Sequence, residues 1–280
     1  MNHPSETPPN IPQGDKKPNG SWNKGNILKG LGVAILIIGL TFLIRNSDRF
    51  FASPEEKQTI SDFKNIFNNL NIEGNTMELN SKSELKSEMG KIIEDYLNKI
   101  EKLNSDFEQK INGPLLKTQV IAYAEDFEDI ENIKTFIEGY KELEVITNNF
   151  FTEYYRLNVE VNTAIKNAEA KSGETFLKEF AKGFSEGMEE TTTGIRKLQE
   201  TILNYYKTEI TIAEFGLKNH AQLSIENGEV VFEEEAVQQE YEALLEKTLK
   251  VEEEFDEALD TYLTTSTEDV EKARELLETY

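Results

Sequence analysis

Between Ile27 and Ile44 the chain reads ILKGLGVAILIIGLTFLI, with Lys29 as its one charge. Nothing else in the sequence restricts the fold so strongly. As a helix this run is about 27 Å long, close to a hydrocarbon core of about 30 Å. Lys29 and Arg45 sit where their stems can snorkel to the two interfaces. Ile27, Leu31, Val33, Ile35, Leu36, Ile37, Ile38, Leu40, Phe42, Leu43 and Ile44 each favour insertion by about 0.3–0.6 kcal/mol. The apolar character runs all round the helix, whereas the rest of the chain is apolar at every third or fourth position. The reading is a transmembrane helix over residues 27–45.

A cleavable signal would end in small residues. Here the run is followed by RNSDRFFASPEE, and Phe50 occupies the small-residue position before Ala52. The expectation is therefore an uncleaved, single-pass signal anchor. Lys16, Lys17, Lys24 and Lys29 precede it, and Arg45, Arg49 and Lys57 follow. This slight excess points to a cytoplasmic N-terminus and an extracytoplasmic body at the bacterial inner (cytoplasmic) membrane. Residues 1–26 are rich in Pro, Asn, Gly and Lys and show no periodic face, so a disordered tail is expected. Trp22 stands where an interfacial aromatic belonging to the span would lie.

Residues 53–280 read as one helical body. Ser53 and Pro54 mark a helix start, with Ile60, Phe63, Ile66, Phe67 and Leu70 on one face. Residues 73–81, EGNTMELNS, read as a loop. Ser81 and Glu84 suggest a capping box for a second helix with the stripe Leu85 to Ile111, ended by the turn residues Asn112, Gly113 and Pro114. A third stripe steps without interruption from Leu116 to Ile165, giving an expected helix of roughly 85 Å that ends near Lys171. After KSGE at 171–174 the residues Phe176, Phe180, Phe184 and Met188 recur every four positions and lead into Ile195 and Leu198.

Near the end the period shifts to two. QLSIENGEVVFE, with Asn227-Gly228 as a type I′ turn, predicts a β-hairpin over about 222–233. Its register sets Glu226 against Glu229, Ile225 against Val230 and Leu223 against Phe232, with the apolar four on one face. A further stripe from Val237 to Leu263 and a short last helix capped by Ser266 or Thr267 complete the pattern. The fold class expected is mainly α: one N-terminal transmembrane helix, then an elongated antiparallel helical bundle of coiled-coil character with one small β-hairpin.

Composition narrows function mostly by exclusion. A net charge of -23 makes nucleic acid a poor partner. There is no cysteine, so thiolate metal sites and thiol catalysis fall away. Of two histidines, His3 lies in the tail and His220 stands alone before the hairpin, with no H-E-x-x-H, G-x-S-x-G or phosphate loop to join. The acids Glu252, Glu253, Glu254, Asp256 and Glu257 fall on a helical stretch and read as a solvated face. No catalytic residue, metal ligand or cofactor is expected. The expectation is a non-enzymatic interaction or scaffold protein. It would meet lipid through its span and either another envelope protein or a second copy through its body. The rival is a ligand-binding or sensory bundle using Phe176, Phe180, Phe184 and Tyr205 as an aromatic pocket and working with a separate signalling partner.

Overall fold

The computed structural model describes residues 54–73, 76–79, 85–121, 124–172, 175–226 and 228–278. The apolar run Ile27–Ile44, Trp22, Ser53 and Ser81 lie outside the described residues. No helix among the described residues is long and apolar enough to cross a membrane.

The elements in order are α1 (Pro54–Asn69), β1 (Leu70–Glu73), β2 (Thr76–Leu79), α2 (Glu88–Thr118), a 3₁₀ turn (Ala124–Glu128), α3 (Ile130–Ser172), α4 (Thr175–Lys218), a second 3₁₀ turn (His220–Gln222), β3 (Leu223–Glu226), β4 (Glu229–Phe232) and α5 (Glu235–Glu278). The chain is mainly helical, as its periodicity predicts. α3, α4 and α5 have 43, 44 and 44 residues, so each runs about 65 Å.

Each long helix packs antiparallel on its predecessor. Across α2 and α3 the pairs are Lys171 with Glu88, Tyr96 with Asn158, Phe107 with Phe150 and Lys117 with Glu142. Across α3 and α4 they are Asn162 with Ser185, Tyr155 with Gln199 and Tyr140 with Tyr205. Across α4 and α5, Tyr205 stacks on Phe255 and Phe215 on Tyr241. The product is a rod with its core along the axis. Ile93, Ile133, Phe151, Tyr154, Ile165, Phe184 and Ile195 are fully buried, and six of these seven belong to the expected stripes; Phe151 does not. Exposed ion pairs such as Arg156 with Glu153 and Glu160 decorate the outside and contribute little in water.

Four boundaries differ from the sequence reading. First, α2 begins at Glu88 rather than near Ser81, because Ser87 is the cap: its hydroxyl accepts from the Gly90 N–H at 3.0 Å. Second, Asn112–Pro114 does not end α2. Pro114 sits inside the helix and is buried. The carbonyl its missing N–H would have served belongs to Lys110, an exposed residue open to water. Third, the long stripe is not one helix. It breaks over residues 119–129, and α3 restarts where Asp129 accepts from the Glu131 N–H at 2.9 Å. Apolar spacing carries across the bend because Val120 and Phe127 still pack on the core. Fourth, no helix starts at Ser266 or Thr267. α5 continues through them to Glu278, since neither residue removes a backbone donor and the helix beside it is equally long.

The β3–β4 hairpin has the expected register: Leu223↔Phe232, Ile225↔Val230 and Glu226↔Glu229. Gly228 has φ of 79°, the left-handed conformation that a turn of this kind needs; Asn227 lies outside the described residues. A second hairpin, β1–β2, pairs Leu70↔Leu79 and Ile72↔Met77: β1 takes Leu70, expected on the face of the first helix, and β2 falls in the stretch expected to be a loop.

Candidate functional site

The aromatic pocket suggested by Phe176, Phe180, Phe184 and Tyr205 is not assembled. Phe180 and Phe184 are 1% and 0% exposed, with ring centroids 5.9 Å apart, and they fill the core. Tyr205 lies six turns further along α4, about 32 Å from Phe184, stacked on Phe255 and edge-on to Tyr140. The side chain of Phe176 lies outside the described residues. His220 places Nε2 3.0 Å from the Glu128 carbonyl oxygen, which ties the second 3₁₀ turn to the first. Glu253, Glu254, Asp256 and Glu257 are exposed and Glu252 is half-buried. Among the described residues no group of His, Cys, Asp or Glu is placed to hold a metal ion.

Three other features were not read from the sequence. One is a groove of about 400 Å³ between α3 and α4, lined by Asn162, Lys166, Ser185, Met188, Glu189 and Arg196, with Thr192 and Thr193 at its side. The α4 residues recur at helical spacing, so one face of that helix forms the wall. The Ser185 hydroxyl donates to the Asn162 amide oxygen at 2.7 Å, and an amide cannot act as a general base, so this serine is not an activated nucleophile. Arg196 lies over the Tyr155 ring, 5.6 Å from its centroid. The lining offers charge of both signs and hydroxyl groups, a surface suited to holding a polar ligand.

The second feature is the cap at the far end of the rod, where β3 and β4 close over the end of α4. Phe215, Phe232 and Tyr241 form a triangle with centroid separations of 5.5, 5.2 and 6.2 Å. Phe127 from the first 3₁₀ turn lies beneath; a Cβ on Gly216 would stand 3.3 Å from its ring. Burial, with the Glu209 carboxylate adding to it, pushes the Tyr241 phenol up to about 12. Burial likewise raises Tyr140 and Tyr206.

The third feature lies at the opposite end, where α1 meets the start of α2. Asp62 of α1 is 0% exposed. Its Oδ2 accepts from the Ser87 N–H at 2.6 Å, the Ser87 hydroxyl at 2.7 Å and the Lys86 N–H at 2.9 Å, and its Oδ1 accepts from Gln58 at 2.8 Å. Burial would raise the Asp62 carboxyl, but the bonds from Ser87, Gln58 and Lys86 outweigh it and hold the group below the usual aspartate value. A partner 25 residues away in sequence leaves no local signal, so this cluster was not legible from the sequence. Comparison of the chain with protein-family models, curated proteins and solved structures finds no match.

Proposed function

We propose that the chain is a non-enzymatic, membrane-anchored interaction or scaffold protein of the bacterial cell envelope. It sits in the inner membrane through the single span Ile27–Ile44, with its body on the extracytoplasmic side. The observation that carries this reading is the order of parts. A hydrophobic segment of membrane length is followed, after a few residues, by a rod of about 65 Å whose far end is closed by a packed hairpin. Such a body holds a contact surface at a set distance from its anchor. Val145 and Val159, 60% and 68% exposed on α3, and Leu249, 51% exposed on α5, provide apolar points for another envelope protein or a second copy. The acidic surface leaves nucleic acid out of the partner set.

Reporter fusions at both termini, followed by crosslinking in the membrane, test the proposal. The expected result is a cytoplasmic N-terminus, an external C-terminus and a discrete crosslinked species that is lost when Val145 and Val159 are changed to Asp. Full-length chain remaining in the soluble fraction without detergent would overturn the anchoring. A second reading, a ligand-binding or sensory module acting with a separate signalling partner, draws support from the groove at Lys166 and Arg196. A polar ligand that raises the melting temperature of the wild type, but not of Arg196→Ala, would move the assignment to it.

A further inference from the structure

α1 makes a buried polar contact with the start of α2. Among its described residues Thr59, Asp62 and Ile66 are buried and Ile60 is half-buried, so a single aliphatic side chain is fully covered. The described faces of α2, α3 and α4, by contrast, are lined with buried aromatic and aliphatic groups. A carboxylate of α1 is inserted against the start of another helix. Asp62 takes both N–H groups of Lys86 and Ser87, and Ser87 in turn caps α2 at Gly90. The fit is close: a Cβ on Gly90 would stand 2.9 Å from both Asp62 Oδ2 and Ser87 Oγ.

We propose that α1 is a separately releasable arm locked to the bundle by Asp62. The donors to the carboxylate are two backbone N–H groups, a hydroxyl and an amide. α1 also carries Lys57 and Lys64. Lys86, Glu88 and Lys91 come from the start of α2, and Lys171 comes from α3, where it meets Glu88 at 3.3 Å. None of these brings an ammonium to the Asp62 carboxylate, so salt has little purchase on the lock. Because the folded carboxyl titrates below the usual aspartate value, its contribution is present above that range and is lost as pH falls beneath it. The lock therefore stays shut at neutral and mildly acidic pH.

Hydrogen exchange on the full-length chain in detergent micelles tests it at neutral pH. In Asp62→Asn the α1 amides and the first turn of α2 should exchange roughly tenfold faster or more, the loss expected for charge-assisted hydrogen bonds, with α3 and α4 unchanged. Gln58→Ala, which strips only the bond to Oδ1, should give the same pattern more weakly. Asp106→Asn, at an exposed site on α2, should change nothing. Unchanged α1 protection in Asp62→Asn would overturn the proposal. So would a loss spread evenly over the bundle or a variant that fails to fold, since either makes α1 inseparable from the rest. Membrane partitioning of the same samples reports on the anchor independently.

Discussion

At the end of the rod where the chain enters, one fully buried carboxylate gathers four donors; at the other end three aromatic rings meet within about 6 Å of one another under a hairpin. Both arrangements close a helical bundle, and they respond to different insults. The aromatic end depends on area removed from water, which tolerates small shifts and is indifferent to proton concentration across the neutral range. The carboxylate end depends on bond geometry and on charge, so removing one atom is enough to undo it. If α1 is a releasable arm, the rod loosens at the first without disturbing the second.

The largest effect should come from breaking the apolar closure. Phe232 is 3% exposed and touches both Phe215 and Tyr241. Phe232→Ala should cost about 3–5 kcal/mol, read by denaturant unfolding, with the extra hydrogen exchange concentrated in β3, β4 and the first turns of α5. A cost below about 1 kcal/mol would mean that the hairpin merely rests on the bundle.

Glycine substitutions sharpen the contrast through their sign. At an exposed helical glycine, Ala should stabilise by about 0.5–1 kcal/mol. A Cβ added at Gly113 or Gly194 would meet nothing within 4 Å, and both positions should behave so. Gly139 should not: a Cβ there stands 2.8 Å from Lys117 Cβ and 2.9 Å from the Pro114 carbonyl oxygen. At this crossing of α2 on α3 the backbones approach too closely for a methyl group. Gly139→Ala and Gly90→Ala should each destabilise by about 1–3 kcal/mol, the first across the bundle and the second in α1. Equal and favourable changes in melting temperature for all four variants would show that neither contact is close in solution.

Titration should separate the ends in opposite directions. Asp62, held low, favours the folded state above the usual aspartate value, and that favour disappears as pH falls beneath about 3.9. Tyr241, pushed up by burial to about 12, favours the folded state fully below the usual tyrosine value; that favour drains away as pH rises from about 10 towards the raised value. Acid should therefore bare the α1 amides first. Alkali should loosen the stretch of the rod that carries the buried tyrosines, Tyr140 and Tyr206 as well as Tyr241 beside the hairpin, together with the appearance of tyrosinate absorbance. Loss of both ends at the same pH in either limb would dissolve the distinction.

What the sequence made readable follows the same division. The apolar stripes of α2 to α5 and the register of β3–β4 were legible because burial imposes a period and Asn-Gly imposes a turn. The β1–β2 hairpin was missed although Leu70, Ile72, Met77 and Leu79 alternate around Gly74-Asn75, a turn pair that the helical run before it obscured. The bend at 119–129 was missed because Val120 and Phe127 remain apolar through it; spacing records burial and not direction. The Asp62 lock could not have been found by period or motif, since three of its four donors come from Lys86 and Ser87, on the other side of a hairpin from the acceptor. Of the expected aromatic pocket, spacing gave burial correctly for Phe180 and Phe184 but could not supply the empty volume a ligand requires.

Midway along α2 one residue belongs to neither style of closure. Asn104 is 4% exposed, and its amide oxygen has no hydrogen-bond partner. A buried polar atom left unmatched costs free energy, and an apolar side chain of similar size removes that cost. Asn104→Leu should therefore raise the stability of the bundle by about 0.5–1 kcal/mol, a gain as small as those at Gly113 and Gly194 and, like them, favourable. A polar group kept inside a helical interface can also fix which register the helices adopt. In that case the Leu variant would melt higher yet show a second set of crosslinks between α2 and α3, offset from the pairing of Tyr96 with Asn158 and Lys117 with Glu142. A variant less stable than the wild type would mean that Asn104 is matched in solution and that the middle of the rod, like the end where the chain enters, is held by polar contact.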